Sequence, residues 1–242
     1  MKRIDLLSCA STNTEAMARA LAGELGPVWI TAREQTAGRG RSGRTWAGGA
    51  GNLAASLLVT LHCPAASLGQ LALVAGLAVH GAVASLAEAT VHDILRVKWP
   101  NDLMIGTDKC GGILIETTRS AGGGHAVVIG FGLNLAMVPE GLDRPATALA
   151  RHGFDAHADA VLERLDRHLA LRLREWRSGA GFASIRADWL VAAGSLGQAV
   201  AVRVNGARLE GRFAGIDQDG CCLVTDGAGV THAITFGDVE MI

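Results

Sequence analysis

The chain has 242 residues, 49% hydrophobic and 19% charged, with a net charge of -1; that balance supports a sizeable core and excludes intrinsic disorder. A near-zero charge with a pI of about 6.7 excludes a protein whose main task is gripping nucleic acid or an anionic membrane, while leaving room for a local basic site. Only Lys2, Lys98 and Lys109 among the 22 basic residues are lysine, glycine reaches 32 residues and tyrosine is absent, a bias that coding composition also explains.

The N-terminus, MKRIDLLSCASTN, carries two basic residues but an apolar stretch too short for a secretory segment, and no stretch reaches about 18 uninterrupted apolar residues. Ile4 to Ser8 is a short apolar run. Thr12 and Glu15 then stand three apart in a capping pattern, which predicts a helix from about Asn13 to Leu25. Val28 to Glu34 alternates like a strand, Gln35 to Gly51 is a long Gly/Arg-rich loop, and Asn52 to Leu61 resumes as a buried strand. Ser67 is placed to cap a packed helix running to about Ala89. Short strands follow at Arg96 to Trp99, Leu103 to Ile105, Gly112 to Thr117 and Ala126 to Gly130, divided by turn residues. Ala158 to Trp176 places Leu162, Leu165, Leu169 and Leu173 at helical spacing, and a second helix covers about Phe182 to Val191. From Gln198 to Ile242 short strands are broken by Asn205-Gly206, Asp219-Gly220 and Asp226-Gly227, which are hairpin signals. The expected class is α/β (α+β): a central mixed β-sheet with packed helices over residues 1–193, plus a small C-terminal SH3-like β-barrel over 194–242.

The stretch Gly38-Arg39-Gly40-Arg41-Ser42-Gly43-Arg44-Thr45-Trp46 combines glycines that let backbone N–H groups close on an anion with arginines whose forked donors suit phosphate oxygens. A solvated basic loop of the RNA-binding kind is the alternative. Lys98-Trp99-Pro100-Asn101-Asp102 presents a cation and two polar side chains at a strand end made rigid by Pro100, although it also reads as an ordinary turn. Lys109 enters a strand whose first positions, Gly111 and Gly112, have no bulk, so a phosphate or carboxylate could approach there. Gly130-Phe131-Gly132-Leu133-Asn134 would admit a flat ligand, with Asn134 reading a nucleobase edge; a bulge would explain the glycines equally well. Ser11-Thr12-Asn13 reads equally as a helix cap. The cysteines, at 9, 63, 110, 221 and 222, lack CxxC spacing, so the expectation is a reducing, cytoplasmic setting with no disulfide framework and no zinc site. The histidines show no ligand spacing, and no metal ligand is assigned among the side chains.

Taken in order, Ser11-Thr12-Asn13, Gln35-Thr36-Ala37 leading into GRGRSGRTW, KWPNDL from Lys98, KCGGILIE from Lys109 and GFGLNL from Gly130 resemble the biotin protein ligases, the biotin–[acetyl-CoA-carboxylase] ligase family. The resemblance spans nearly the whole chain. It implies that biotin and ATP give biotinyl-5′-AMP and pyrophosphate, after which a lysine of the biotin carboxyl carrier domain of acetyl-CoA carboxylase attacks the mixed anhydride. Carried over by motif, Ser11, Thr12, Asn13 and Gln35 would surround the ureido head of biotin. Gly38, Arg39, Gly40 and Arg41 would close over the valeryl carboxylate and α-phosphate, with Trp46 excluding water. Lys109, Arg41 and Asp102 are the catalytic candidates; Arg39, Arg41, Arg44, Lys98, Asn101 and Asn134 are the nucleotide-binding ones. ATP with Mg²⁺ is the implied co-substrate and activator. The first catalytic strand starts by residue 4, so the operator-binding winged helix of some homologues has no room, and no DNA or membrane partner is expected. A homodimer is compatible with the sequence. Residues 136–150 contain no aromatic, so an aliphatic such as Leu149 would have to pack on adenine. A non-catalytic biotin sensor and a lipoyl or octanoyl transferase are the competing functions.

Overall fold

Apolar side chains alternate along the first strand, β1 (Lys2–Cys9), with Ile4 and Leu6 turned towards the first helix, α1 (Thr12–Leu21). The computed structural model describes residues 1–142, 145–204 and 207–242. The capping box read at Thr12 and Glu15 does not form: Ser11 is the N-cap and no side chain caps the helix. Thr12 is taken instead by Gln35 and Ser56, tertiary partners that outcompete a local cap. The helix stops short of Leu25 because Gly23 adopts a left-handed φ of 94°.

β2 (Val28–Gln35) runs parallel to β1, and β3 (Leu53–Leu61) antiparallel to β2. The single helix expected from Ser67 to Ala89 resolves into a 3-10 segment (Ala65–Gln70), α2 (Leu71–Ala84) and the short α3 (Ala89–His92); no side-chain cap forms, so Ser67 is inside the 3-10 segment rather than at its start. Residues Ala65–Ala84 are long and apolar enough to cross a membrane by length and composition. In this fold α2 is apolar all round because it is sandwiched between the sheet and two further helices. Its Leu71, Val74, Leu77 and Val83 are buried, each contributing about 1.5–3 kcal/mol by removal from water.

β4 (Leu95–Lys98), β5 (Asp102–Ile105), β6 (Asp108–Arg119) and β7 (His125–Leu133) complete a seven-stranded mixed sheet of order β1-β2-β3-β7-β6-β5-β4, in which only β1 and β2 are parallel. β6 and β7 exceed their expected bounds. Both lie inside the sheet, so partners on two sides carry the ladder through Gly111, Gly112, Gly130 and Gly132 despite their weak strand preference. α4 (Ala158–Trp176) has the bounds its periodicity predicts, and α5 (Phe182–Ala193) runs two residues beyond Val191, to Gly194 at φ 60°. α2, α4 and α5 cover one face and α1 the other.

β8 (Ala199–Val204), β9 (Ala207–Ile216), β10 (Cys222–Thr225), β11 (Thr231–Ile234) and β12 (Val239–Met241) form an antiparallel sheet of order β11-β10-β9-β8-β12. Its outer strands do not pair with each other among the described residues. Among the described residues no closure of this sheet into the expected SH3-like barrel is found. The Asn205-Gly206 signal lies outside the described residues. The turn read at Asp226-Gly227 bends at Gly229 (φ 83°), where Asp226 Oδ1 accepts from the N–H groups of Ala228 and Val230. One hydrophobic core runs through both sheets, with Trp189 meeting Phe213 edge-on at a centroid distance of 6.4 Å, and Trp99 Nε1 donating to Gly220 O at 3.0 Å.

Cys110 and Cys222 lie in this core, and burial pushes both thiols up to about 12. Iodoacetamide at pH 8 should therefore leave both unmodified in the native protein, read by peptide mass spectrometry; modification of either without denaturant would contradict the packing.

Candidate active site

The β2–β3 loop owes its shape to its own backbone. Trp46 N donates to Gly38 O at 2.9 Å and Gly40 N to Arg44 O at 2.7 Å, while Arg39 and Thr45 form an isolated bridge. A tip with Ser42 at φ 55° and Gly43 at φ 73° reverses the chain. A Cβ at Gly38 would come within 2.3 Å of Trp46 O, so this close approach requires glycine. The loop is a folded hairpin, not a solvated basic tract.

The loop lays its tryptophan on the sheet. A Cβ at Gly132 would sit 2.3 Å from Trp46 Cε2, and one at Gly130 would sit 2.0 Å from Asn13 Oδ1. The β7 glycines therefore make room for two of the protein's own side chains, where the sequence suggested a flat ligand. On β6, Gly112 leaves space for Lys109 Nζ and Trp46 Cζ3, each 3.2 Å from where its Cβ would be.

A cavity of about 480 Å³ opens beneath the loop. Of the residues singled out in the sequence, Ser11, Thr12, Asn13, Gln35, Arg39, Gly40, Arg41, Arg44, Trp46, Asn101, Asp102, Lys109 and Asn134 line it. Gly38 does not; it supports the loop from behind. Lys98 lines a neighbouring hollow of about 900 Å³, whose walls share Arg44, Asp102 and Lys109 with the first.

Both lysines converge on one carboxylate. Lys109 Nζ is 2.5 Å from Asp102 Oδ1, and Lys98 Nζ is 3.6 Å from Oδ2. Lys109 also stands 5.7 Å from the centroid of the Trp46 ring, within cation–π range. Its position depends on an irregularity in the β5–β6 register between Leu103 and Met104. Arg41 Nη1 donates to Asn101 Oδ1 and Gly237 O, both at 3.3 Å, and its guanidinium lies 5.1 Å above the Phe236 ring. Burial pushes Arg41 below the usual guanidinium range, opposed by Asp238. Arg44 Nη2 donates to Asp238 Oδ1 at 2.9 Å.

Beside them lies a buried polar cluster. Thr12 N donates to Gln35 Oε1 at 2.8 Å, and Ser56 Oγ contacts Thr12 Oγ1 at 2.8 Å and Asn13 Oδ1 at 2.6 Å. Asn13 Nδ2 donates to Glu116 Oε2 at 2.8 Å, and Arg39 Nη2 reaches the same oxygen at 2.7 Å. Asn134 Nδ2 donates to Thr147 O at 3.3 Å, so one of its two amide protons holds the 145–149 segment, leaving the second proton and the oxygen. Leu149 is fully buried and away from the cavity; Pro139, Leu142 and Ala146 supply the aliphatic wall that residue was expected to provide.

Sequence reasoning missed Ser56, Glu116 and the Phe236-Gly237-Asp238 segment. Ser56 was visible as a hydroxyl within an apolar strand, and Glu116 closes the KCGGILIE motif. Asp238 carried no local signal, since its partners are nearly 200 residues away (|i−j| = 194 to Arg44).

Residues 10–134 match the Biotin/lipoate A/B protein ligase family, and residues 195–241 match the Biotin protein ligase C terminal domain. The chain is 38% identical over 225 residues to a biotin--[acetyl-CoA-carboxylase] ligase of Paracoccus denitrificans, covering 90% of this chain and 92% of that protein. It is 35% identical over 245 residues to the protein of that name from Mycobacterium tuberculosis, covering 98% and 88%. The fold is similar to that of a biotin protein ligase from Aquifex aeolicus in complex with biotin and ATP, with a TM-score of 0.80 and 24% identity over 100% of this chain and 98% of that one.

Proposed function

Because the chain belongs to the biotin/lipoate A/B protein ligase family, we infer that it activates biotin as biotinyl-5′-AMP and transfers it to a lysine of the carboxyl carrier of acetyl-CoA carboxylase. The observation that carries this reading is one cavity that joins a cation cluster, Arg41 with Lys109, to the buried polar cluster around Thr12 and Gln35. The first suits phosphate and carboxylate oxygens; the second suits a compact head group with both donors and acceptors, such as a cyclic urea.

In the first step a carboxylate oxygen of biotin attacks the α-phosphorus of ATP. The new O–P bond forms as the bond to pyrophosphate breaks. Two anions must approach each other, so the barrier falls in proportion to preorganised positive charge, which Lys109 and Arg41 supply. Ser11, Thr12, Asn13 and Gln35 surround the ureido head, Arg39 and Gly40 approach the carboxylate, and Trp46 shields the anhydride from water. Arg44, Asn101, Asn134 and, from the adjoining hollow, Lys98 are assigned to the nucleotide side. In the second step the unprotonated amine of the carrier lysine attacks the acyl carbon, the bond to AMP breaks, and the amine proton passes to solvent. Asp102, already holding two ammonium groups, is placed to steer a third. Among the described residues no three His, Cys, Asp or Glu side chains gather as a metal site. Mg²⁺ would be brought in with ATP and would supply positive charge against its phosphate oxygens. Residues 194–242 are assigned as a C-terminal domain that shares its core with the first sheet, and the free cysteines suit a reducing cytoplasm.

Mass spectrometry of a biotin carrier domain incubated with this protein, biotin and ATP tests the function. One biotinyl adduct on one lysine is expected. Biotin binding without any adduct would identify a sensor, and an adduct only with lipoate or octanoate would identify an acyl transferase. Arg41→Ala should weaken retention of the adenylate by about 1–3 kcal/mol, the value of a charged hydrogen bond, read as faster adenylate dissociation; an unchanged rate would remove Arg41 from that role.

A further inference from the structure

One arginine of the Gly/Arg loop is held by the C-terminal sheet, in a way that leaves its charge and most of its donors available. The link between β11 and β12, residues 235–238, crosses from one edge of that sheet to the other. It is pinned at both ends, where Ile234 pairs with Cys222 and Val239 with Val202. This brings the Phe236 ring against Arg41, whose Cζ is 5.1 Å from the ring centroid, and Gly237 O to within 3.3 Å of Arg41 Nη1. Asn101 Oδ1, also at 3.3 Å, accepts from the same nitrogen out of the first sheet.

A guanidinium carries five N–H groups, two of them on Nη1. Nε and Nη2 of Arg41 make no hydrogen bond to protein among the described residues, so three donors remain on a side chain that lines the cavity. A carboxylate could hold this cation only by offsetting its charge. Asp238 Oδ1 stands 3.5 Å from Arg41 Nη1, but its shorter contacts, at 2.9 Å, go to Arg44. An aromatic face attracts a cation through its quadrupole and needs none of those donors. The Arg41 side chain is 17% exposed, so water screens that attraction only weakly. Phe236 therefore restrains the guanidinium without cancelling its charge, which is what an anion arriving in the cavity requires.

We propose that Phe236 is a positioning residue: its ring holds Arg41 ready for the phosphate of the biotinyl adenylate, and through it the C-terminal sheet takes part in adenylate retention. This role rests on the biotin reading of the site. Phe236 is itself 66% exposed and belongs to neither apolar core, so its replacement should leave the midpoint of thermal unfolding unchanged.

Release of labelled adenylate after a single turnover, followed in wild type, Phe236→Leu and Phe236→Trp, tests this role. Leucine keeps an apolar cover over Arg41 but has no π face, whereas tryptophan keeps both. The expected result is release about fivefold faster in Phe236→Leu, the equivalent of about 1 kcal/mol of cation–π attraction, and release at the wild-type rate in Phe236→Trp. In an Arg41→Ala background the leucine substitution should change nothing further, because the ring has lost the group it holds. Wild-type release in Phe236→Leu overturns the proposal. So does acceleration by the same factor with and without Arg41, the outcome that general damage to the fold would give, or acceleration in Phe236→Trp equal to that in Phe236→Leu. A wild type that forms no adenylate from biotin and ATP would overturn the assigned function and this role with it, a result distinct from unchanged release in variants of an active wild type.

Discussion

Lys109→Ala should release pyrophosphate from biotin and ATP at least about a hundredfold more slowly than the wild type, the order of effect expected when one preorganised charge is removed from a developing anion. The ammonium occupies a place built for it: over Gly112, 2.5 Å from Asp102 and facing the Trp46 ring. The variant should still fold, because Asp102 retains Lys98 and Lys109 lines the cavity rather than the hydrophobic core. Loss of one partner of a charged hydrogen bond costs about 1–3 kcal/mol, read as a lower midpoint of thermal unfolding. Lys109→Arg should rescue little, since the planar fork is wider than the ammonium and the space above Gly112 already holds Trp46. A pyrophosphate exchange assay checks both variants. Exchange at the wild-type rate in Lys109→Ala would take this lysine out of the chemistry.

Gly132→Ala should be strongly damaging although it adds a single methyl group. Gly132 has no left-handed φ, so the backbone accepts alanine, but the new Cβ would stand 2.3 Å from Trp46 Cε2 and 2.5 Å from Nε1. The indole has to leave the sheet and take with it the shield over the adenylate. Overpacking of this kind costs about 1–3 kcal/mol, which corresponds to about 5- to 150-fold in the population of the closed loop. Single-turnover experiments with labelled ATP should show adenylate that is made slowly and lost rapidly. Gly48→Ala is the control, because nothing lies within 4 Å of its added Cβ; it should behave as wild type. Normal adenylate retention in Gly132→Ala would mean that Trp46 does not protect the intermediate.

Much of the site is legible in the amino-acid sequence alone, and the reason is its local character. The turn at Pro100 and the Gly/Arg loop after Gln35 depend on φ preferences and spacing over a few residues, which sequence records directly. The helix Ala158–Trp176 is legible to the residue because its apolar stripe runs its full length. α1 is less so, since its expected cap at Thr12 is lost to Gln35 and Ser56 across the sheet. Leu149 is nominated for adenine by its position after the strand, yet it is packed into the core while Pro139 and Leu142 face the cavity.

By itself the sequence determined which residue types could do this chemistry: the GRGR loop, two of only three lysines at 98 and 109, and the serine-threonine-asparagine run at 11–13. Tertiary structure decided how they meet. A register irregularity between β5 and β6 brings Lys109 onto Asp102, with Lys98 reaching the same carboxylate from the neighbouring hollow. Gly132 received Trp46 instead of a ligand, and Arg44 found its counter-charge at Asp238. These pairings depend on strand register and on packing between segments far apart in the chain. Backbone preference acts over a few neighbouring residues, whereas long-range contacts are selected only when the whole sheet and its covering helices close together.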